Sequence, residues 1–425
     1  MSEKIVSESI IQQITAIGKR ARQASRALMG METEPKNQIL IAMADQIDKN
    51  RISILKANEM DVHEARRKGL APALTDRLLL NESRVNNMIT GIRDVAALPD
   101  PAGRVLGTRT KTNGLIIEKR AVPIGVIGMI YESRPNVTAD ASALCLKASN
   151  AVILRGGSEA LHSNQAIAGA LVEGGIKAGL PEHALQLIPI RDRRAVQALI
   201  TMDQYVDLII PRGGEGLIRA VAGNATVPVL KHYKGVCHIY VNADADLRKA
   251  QSIVENAKCQ RPGVCNAAET LLVDRSIAEK WLPEIAALLS AANVELRGDE
   301  YSRSLVPDML PATEEDWYTE YLDLILSVRI VDGIEQAVEH INHYGSGHSD
   351  AIISENEVLQ RYFTNRVDSA AVYVNASTRF TDGAEFGMGA EIGISTDRLH
   401  ARGPVGLEEL TTYKYVVYGT GQIRV

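Results

Sequence analysis

Short apolar runs alternate with helical stretches through the middle of this 425-residue chain, and this alternation limits the fold more than any other feature. The runs lie at residues 124–130, 151–154, 185–189 and 206–211. Strands separated by helices are typical of a doubly wound parallel sheet. Aromatic residues make up only 4% of the chain, so its core must consist of Ala, Val, Ile and Leu, which suits helices packed on such a sheet. We therefore predict an α/β fold.

The flanking segments extend this architecture. Apolar residues recur at helical spacing in residues 7–28 and 35–68, so the chain should open with helices. A second α/β stretch is predicted beyond residue 235. Its strands are expected at residues 238–241, 270–273, 351–354 and 370–374.

A projecting β-hairpin is predicted between residues 108 and 122. Its strands flank Asn113-Gly114, a dipeptide that supplies the positive φ angles of a tight turn. The tail, residues 408–425, is also strand-like and could pair with the hairpin of a neighbouring subunit. Because a monomer would leave these strand edges unpaired, we expect a homo-oligomer.

Charge and cysteine content limit the partners and the compartment. The formal net charge is −5, which argues against nucleic acid and an anionic membrane and favours a small-molecule partner. The sequence has four cysteines without a pairing pattern, no signal peptide and no apolar run of membrane-spanning length, so we expect a cytoplasmic protein. Its nine histidines show no zinc-ligand spacing, so we expect no metal.

Cys265 is the strongest candidate for a nucleophile. It lies in residues 260–268, a predicted tight turn whose small neighbours leave the sulfur accessible. A thiol attacks a carbonyl carbon only as the thiolate, so its pKa must be lowered from about 8.5, and Arg261 could supply part of the necessary field. The alternative is that Cys265 is a small buried hydrophobe, as most cysteines are. The other three cysteines fit that description: Cys145, Cys237 and Cys259.

Two glycine turns follow predicted strands and could hold a nucleotide. The first consists of Arg155, Gly156, Gly157, Ser158 and Glu159. It brings backbone N–H groups, a cation and a hydroxyl to the start of a helix, as at phosphate sites. The second includes Gly213, Gly214 and Gly216. It lacks the third glycine and the later acidic residue of a dinucleotide fingerprint, so it could equally be an ordinary strand-to-helix turn.

Together these motifs resemble the aldehyde dehydrogenase superfamily. The resemblance runs through residues 123–127, 155–159, 213–216, Cys265, 344–345 and 385–389. One branch of that superfamily, whose members reduce L-glutamyl 5-phosphate, is matched more closely. The motifs that are very similar to this branch lie at residues 131–136, 260–266 and 374–383.

The resemblance implies an aldehyde dehydrogenase-like fold of interleaved domains. It implies a Rossmann-type NADP-binding domain in residues 1–104, 122–235 and 381–404, a catalytic domain in 236–380 with Cys265, and oligomerisation strands in 105–121 and 405–425. It also implies NADPH as the hydride donor and a place in proline biosynthesis. A contact with glutamate 5-kinase, which would protect the labile acyl phosphate, is left open.

The resemblance further implies roles for single residues. Cys265 would attack the γ-carbonyl of L-glutamyl 5-phosphate and release phosphate, and hydride would reduce the thioester to L-glutamate 5-semialdehyde. The backbone N–H of Cys265 would stabilise the oxyanion, with Ser133 or Asn136 as the second donor. The cofactor would be bound by Arg155, Gly156, Gly157, Ser158, Glu159, Gly213, Gly214 and Glu320, the last at the nicotinamide ribose. Candidates for binding phosphate or the substrate α-carboxylate are Arg134, Lys231, Lys234 and Arg379.

One segment departs from the hydrolytic members of the superfamily. Those members carry a glutamate that activates water against the thioester, whereas the matching residues 230–235 contain no carboxylate. Without that general base, phosphate should be the only competent acceptor of the acyl group.

Two other activities remain open from the sequence. A phosphate-independent aldehyde dehydrogenase would oxidise an aldehyde without phosphate. A cysteine hydrolase or acyltransferase using Cys265 with His232 or His348 would need no nicotinamide. A non-enzymatic nucleotide-binding scaffold would leave the Cys265 turn unexplained.

Overall fold

The computed structural model describes residues 3–231 and 233–424, and at residues 3–7, 72 and 73 it describes the backbone only. The α-helices are α1 (Glu3–Met29), α2 (Thr33–Lys49), α3 (Arg51–Arg67), α4 (Pro72–Leu78), α5 (Glu82–Ala97), α6 (Asn136–Lys147), α7 (Leu161–Lys177), α8 (Arg194–Ile200), α9 (Glu215–Asn224), α10 (Leu247–Cys259), α11 (Arg275–Ala291), α12 (Glu300–Leu305), α13 (Ile334–Tyr344) and α14 (Glu357–Arg366). The strands are β1 (Val105–Thr110), β2 (Ile116–Pro123), β3 (Val126–Tyr131), β4 (Ala151–Gly156), β5 (Leu185–Leu187), β6 (Leu208–Arg212), β7 (Cys237–Val241), β8 (Ala268–Asp274), β9 (Glu295–Gly298), β10 (Leu310–Pro311), β11 (Ile325–Val331), β12 (Ser349–Ile353), β13 (Ala371–Val374), β14 (Ile394–Ser395), β15 (Gly403–Pro404) and β16 (Thr411–Tyr418). Short 3₁₀ helices occupy Ser158–Ala160, Glu314–Tyr318 and Thr378–Phe380.

Two compact units divide the chain. The first comprises Met1–Lys231, Gly387–Gly393 and Val405–Val425, and the second comprises His232–Phe386 and Ile394–Pro404. The second unit therefore contains residues 232–235 and 381–386, which the sequence analysis grouped with the NADP-binding domain, and residues 394–404, which it grouped there too, also belong to the second unit. Residues 394–404 do so because β14 pairs with β15 and because Arg402 binds Asp368, which precedes β13. The assignment of cofactor, catalytic and oligomerisation roles to the domains stays a prediction.

A four-stranded parallel sheet in the order β5-β4-β3-β6 forms the centre of the first unit. All residues of β3 are buried, in agreement with its continuous apolar run. Helices α1 and α8 pack together against this sheet, and so do α6 and α7. The predicted doubly wound sheet is confirmed. The opening helical region is also confirmed, although Asn50 separates α2 from α3.

The predicted hairpin is confirmed, but the predicted partner of the tail is wrong. Gly114 adopts a φ of 86° in the turn between β1 and β2, which run antiparallel. The tail strand β16 pairs antiparallel with β2 of the same chain, from Thr411 opposite Pro123 to Tyr418 opposite Ile116. The tail returns to its own hairpin because eight consecutive residue pairs match in register there. A β1-β2-β16 sheet results, and its remaining edges are β1 and β16.

A parallel sheet in the order β10-β9-β11-β8-β7-β12-β13 forms the centre of the second unit. The strands predicted from sequence correspond to β7, β8, β12 and β13. The sequence analysis missed β9, β10 and β11. The first two are short, and the apolar run of β11 is interrupted by Ser327 and Arg329, whose side chains have polar partners in Tyr321 and His340.

Within residues 3–231 and 233–424, no helix is long and apolar enough to cross a membrane.

Candidate active site

The candidate nucleophile lies at the amino ends of the strands in the second unit. Because these strands are parallel, the segments that precede β8, β7, β12 and β13 all lie at the amino ends of the strands. Cys265 lies in the segment between α10 and β8, which we call the nucleophile turn (residues 260–267). The N–H of Ala267 donates to the carbonyl oxygen of Val264 at 3.1 Å. The tight turn predicted around Cys265 is therefore present.

Burial separates Cys265 from Cys145 and Cys237, whereas Cys259 is half-buried like Cys265. Cys145 and Cys237 are buried, and burial raises the pKa of both thiols well above the ordinary value. Burial also raises the pKa of Cys259, which lies in the last turn of α10. A thiol with a raised pKa stays protonated near neutral pH and is a weak nucleophile. Cys265 is half-buried and lies in a turn, so it is the thiol best placed to react.

A glycine packs directly against the backbone of Cys265. A Cβ atom built on Gly235 would lie 1.8 Å from the carbonyl oxygen of Cys265 and 2.7 Å from its Cα atom. The N–H of Gly235 donates to Oε1 of Glu320 at 2.9 Å. Glu320, predicted to contact the nicotinamide ribose, therefore also fixes the segment that supports the nucleophile. Its cofactor role stays a prediction.

Arg379 brings a cation to the nucleophile turn. Its Nε donates to Oε1 of Gln260 at 2.9 Å, and its Nη1 donates to Oδ1 of Asn266, the residue after the nucleophile. Asn266 is buried, and its Nδ2 donates to the carbonyl oxygen of Thr381 at 2.9 Å. Burial and the neighbouring Arg261 lower the pKa of Arg379, while Cys265 acts in the opposite direction. Arg379 thus lies within electrostatic range of both Arg261 and Cys265, and the expected activation of the thiol by these cations stays a prediction.

A buried ion pair joins the two ends of the nucleophile turn. Lys258, near the end of α10, and Glu269, near the start of β8, are both fully buried, and Nζ lies 2.7 Å from Oε2. The other carboxylate oxygen of Glu269 accepts the N–H of Leu322 at 3.3 Å. Burial raises the pKa of Glu269 to about 7, although the Lys258 ammonium lowers it. Sequence analysis did not identify this pair.

His348, one of the two histidines considered for a cysteine hydrolase, lies behind the nucleophile turn. Its Nδ1 is 3.8 Å from the sulfur of the buried Cys237 and 2.8 Å from Oγ of Ser349. Cys237 in turn donates to the carbonyl oxygen of Cys265 at 3.3 Å. His348 therefore contacts a structural cysteine next to the turn. His232, the other candidate, lies outside the described residues.

The first unit contains a cavity of about 460 Å³ at the carboxyl ends of its strands. In the sheet, β4 lies on one side of β3 and β6 lies on the other, so the strand order changes direction at β3. The cavity lies at this switch point, where doubly wound sheets bind nucleotides. The predicted cofactor turn (residues 155–159) supplies one wall, with Arg155, Gly157, Ser158 and Glu159. The start of α9, at Gly216 and Leu217, supplies another.

Three arginines line this cavity: Arg155, Arg191 and Arg193. Nη2 of Arg155 donates to the carbonyl oxygen of Arg191 at 3.2 Å, and burial lowers the pKa of Arg155. Its Nε is buried without a hydrogen-bond partner among the described residues, which suits a cavity that receives an anionic ligand. Sequence analysis identified Arg155 but missed Arg191 and Arg193, which follow β5 and come close only in the fold. The available signal was the cluster of three arginines in residues 191–194.

Side chains lie close to the glycines of the cofactor turn. A Cβ atom on Gly156 would lie 2.0 Å from Nδ2 of Asn164, and one on Gly157 would lie 2.1 Å from Oε1 of Glu159. In the second glycine turn, the N–H of Gly214 donates to Oε2 of Glu132 at 3.1 Å. A Cβ atom on Gly213 would lie 2.4 Å from the same oxygen.

The predicted oxyanion donors have partners within the first unit. Oε1 of Glu159 accepts both the N–H of Ser133 at 2.7 Å and its hydroxyl at 3.0 Å. Ser133 has a φ of 48°, so the backbone there is in the left-handed region. Nδ2 of Asn136 donates to Asp140 at 2.9 Å, and burial raises the pKa of Asp140 to about 6. The catalytic roles of Ser133 and Asn136 stay predictions.

The other residues predicted to bind phosphate or the substrate carboxylate are half-buried, and their roles stay predictions. Arg134 and Lys231 are half-buried in the first unit, and Lys234 is half-buried in the second. In the part of the chain that the structure describes, no three His, Cys, Asp or Glu side chains are grouped to hold a metal ion. The expectation of a metal-free protein stays a prediction.

This fold and this thiol define a class of protein. Residues 6–304 match the model of the aldehyde dehydrogenase family. The chain belongs to the aldehyde dehydrogenase family, whose members use a nicotinamide cofactor.

Comparison with individual proteins narrows the class. The chain is 56% identical to the gamma-glutamyl phosphate reductase of Moorella thermoacetica, over 97% of this chain and 99% of that protein. It is 55% identical to the protein of the same name from Syntrophomonas wolfei, over 99% and 100%. The crystal structure of gamma-glutamyl phosphate reductase from Thermotoga maritima matches with a TM-score of 0.95 and 50% identity, over 97% of this chain and 100% of that one. Within the aldehyde dehydrogenases, the chain therefore belongs with the gamma-glutamyl phosphate reductases.

Proposed function

We propose that this chain reduces L-glutamyl 5-phosphate to L-glutamate 5-semialdehyde with NADPH, releasing phosphate, as a step of proline biosynthesis. The reductase name of its relatives supports the substrate. The observation that carries the chemistry is Arg379, whose guanidinium binds Gln260 and Asn266 in the turn that contains the half-buried Cys265. This pairing of a thiol with a cation suits attack on an acyl phosphate, because the cation stabilises both the thiolate and the departing phosphate.

The reaction begins with the Cys265 thiolate attacking the γ-carbonyl carbon. The oxyanion that forms is stabilised by the backbone N–H of Cys265 and by a second donor, Ser133 or Asn136, and one such donor typically contributes about 2.7–4 kcal/mol. Phosphate leaves as the carbonyl reforms, which gives a thioester on Cys265. Arg379 and Arg261 offset the negative charge of the phosphate, and Arg134 and Lys231 are further candidates for this role.

Reduction of the thioester completes the reaction. When bound, NADPH supplies the hydride that converts the thioester into a hemithioacetal. Collapse of the hemithioacetal returns the sulfur of Cys265 and releases the semialdehyde. The nearby carboxylates are poor activators of water, because Glu269 is fully buried against Lys258 and Glu320 accepts the N–H of Gly235. The thioester is therefore protected from hydrolysis.

Preference for NADPH over NADH is proposed from the charge of the cofactor cavity. Arg155, Arg191 and Arg193 line one cavity together with Glu132 and Glu159, and the remaining positive charge makes a 2′-phosphate a better partner than a ribose hydroxyl. Replacing Arg193 with Gln should reduce the ratio of kcat/KM for NADPH to that for NADH by roughly tenfold, the loss of one charged hydrogen bond. Arg219, an exposed arginine of α9, is the control, because Arg219→Gln should leave the ratio unchanged.

A homo-oligomer is proposed from the β1-β2-β16 sheet. Tyr413, Tyr415, Val417 and Tyr418 are all exposed on β16. Exposed apolar side chains beside an open strand edge are stabilised when a second copy covers them. Light scattering of the Tyr415→Ser variant should show a smaller particle than the unaltered protein. A contact with glutamate 5-kinase remains a prediction.

The reverse reaction tests the proposed function. With NADP⁺, glutamate 5-semialdehyde should be oxidised steadily only when phosphate is present to cleave the thioester. Arsenate should replace phosphate, because it has the same shape and charge and the acyl arsenate that it forms hydrolyses spontaneously. Without either anion, NADPH formation should stop after about one NADPH has formed per Cys265. Steady NADPH formation in phosphate-free buffer would instead identify a hydrolytic aldehyde dehydrogenase.

A further inference from the structure

A second cavity opens in the second unit, at the amino ends of the strands, where Cys265 also lies. It measures about 480 Å³, and its walls come from the segments before β12 and β13 and from the β14–β15 ribbon. Gly345, Ser346 and Gly347 contribute from the first segment, and Asp368 and Ser369 from the second. Gly347 has a φ of 70°, so a glycine is favoured where this wall turns. None of the residues assigned above to the nucleophile, cofactor or phosphate lies in this cavity.

The cavity carries more positive than negative charge. Arg398 and Arg402 both line it, and both bind the single carboxylate of Asp368. Nη1 of Arg402 lies 2.7 Å from Oδ1 of Asp368, and its Nη2 donates to the carbonyl oxygen of the same residue at 2.7 Å. The Nε of Arg402 is buried and has no hydrogen-bond partner among the described residues. Two guanidinium groups sharing one carboxylate leave one positive charge available to a ligand.

A short series of contacts connects the cavity with the backbone of Cys265. Oγ of Ser346, in the wall of the cavity, accepts the N–H of Val236 at 2.9 Å. The preceding residue, Gly235, packs against the backbone of Cys265. In the sheet, β8 is separated from β12 and β13 by two and three strand spacings, roughly 10–14 Å at about 4.8 Å per spacing. The cavity is therefore a neighbour of the reacting thiol rather than part of its immediate surroundings.

We propose that this cavity binds the carboxylate at the far end of the substrate, with Arg402 as the principal ligand and Arg398 as its exposed partner. The inference rests on the proposed function and names the residues that would make it specific for a glutamyl chain. A guanidinium group donates charge-assisted hydrogen bonds to a carboxylate. Asp368 holds Arg402 in place, since it binds two of the three guanidinium nitrogens and leaves Nε–H available.

The distance from Cys265 favours the substrate carboxylate over phosphate as the ligand. The phosphate is bonded to the carbonyl carbon that Cys265 attacks, so its site must adjoin the sulfur, where Arg379 lies. The α-carboxylate is separated from that carbon by three further carbons. A site at the same end of the strands that does not adjoin the sulfur therefore suits the carboxylate end of the chain.

A pair of aldehydes that differ in the carboxylate tests this assignment in the reverse reaction. One is 5-oxopentanoate, which has the terminal carboxylate, and the other is butanal, which has none. The unaltered enzyme should prefer 5-oxopentanoate in kcat/KM, and Arg402→Gln should lower that preference by roughly 10- to 100-fold, as expected for one hydrogen bond to a charged group. Arg361→Gln, an exposed arginine of α14 in the same unit, should retain the full preference.

The outcomes separate this inference from its alternatives. A partial loss of folded enzyme would lower the activity towards both aldehydes equally, so it cannot by itself change the ratio of their kcat/KM values. If Arg402→Gln leaves that ratio unchanged, the assignment is overturned. If Arg402→Gln raises the KM for phosphate while the aldehyde ratio is unchanged, the cavity binds phosphate and the assignment is also overturned. The proposed function is tested separately by the requirement for phosphate, so it can hold while this inference fails.

Discussion

The cofactor turn of the first unit follows a strand, whereas the nucleophile turn of the second unit precedes one. Residues 155–159 lie at the carboxyl end of β4, beside a cavity lined by Arg191 and Arg193. Residues 260–267 lie at the amino end of β8, between the two members of the Lys258–Glu269 pair. The rule that doubly wound sheets bind ligands at their carboxyl ends thus locates the first turn and not the second.

The two turns also differ in what surrounds them. A side chain on Gly157 would meet the carboxylate of Glu159, a flexible side chain that can shift at the cost of its hydrogen bonds from Ser133. A side chain on Gly235 would meet the backbone of Cys265, which cannot move without displacing the nucleophile. The comparison suggests that the cofactor turn adapts to its ligand, while the nucleophile turn is held in one geometry. This difference is expected if the first turn binds and the second performs covalent chemistry.

The largest effect is expected at the thiol itself. Cys265→Ser should lower kcat by roughly 10⁴-fold or more, because a serine hydroxyl without a base is a weak nucleophile. The variant should still bind NADPH, since the cofactor cavity belongs to the first unit. Steady-state rates and NADPH fluorescence measure the two properties, and Cys259→Ser is the control. Substantial turnover by the Cys265 variant would place the chemistry elsewhere.

The ion pair should matter more for stability than any residue of the cofactor turn. Lys258→Met leaves the fully buried Glu269 without a counter-charge and should lower the free energy of unfolding by about 3–5 kcal/mol. Urea denaturation measures the loss. The double variant Lys258→Met with Glu269→Leu should recover most of it, because no charge then remains buried. A double variant as unstable as the single one would contradict this account.

A pair of glycine substitutions compares the two turns directly. Gly235→Ala should lower kcat by roughly 100-fold, the cost of displacing a catalytic group by about 1 Å. Gly157→Ala should mainly raise the KM for the cofactor, because its new Cβ meets a side chain that can rotate. Gly263→Ala is the control within the nucleophile turn, where the nearest atom would be 3.7 Å away. Equal effects of Gly235→Ala and Gly263→Ala on kcat would remove the proposed difference in rigidity.

The smallest expected effect is a pH dependence of stability. The pKa of Glu269 is about 7 in the folded protein, compared with an ordinary value of 4.5, so the folded state binds this proton more tightly. Its contribution to stability is therefore complete below about pH 4.5 and is lost as the pH rises through 7. As the pH rises over this range, the free energy of unfolding of the unaltered protein should fall by roughly 1–3 kcal/mol relative to that of Glu269→Gln. Parallel stability curves for the two proteins would contradict the raised pKa.

Local patterns in the sequence were sufficient for several parts of the site. The continuous apolar run that became β4 and the glycines after it predicted the cofactor turn, since both signals lie within a few residues of each other. Cys265 was identified for the same reason, from its turn and small neighbours. The pairing of β16 was predicted incorrectly because a strand's sequence shows that it will pair but not with which partner.

The sequence by itself determined the α/β architecture, the glycine turn and the candidate thiol, because periodicity and turn chemistry act between neighbouring residues. The tertiary structure decided which distant residues meet. It brought Arg379 to Asn266 and Gly235 to Cys265, and it placed Arg402 on Asp368. These contacts join residues on separate strands and loops of the second unit. Their energies depend on burial and distance, which exist only once the chain has folded.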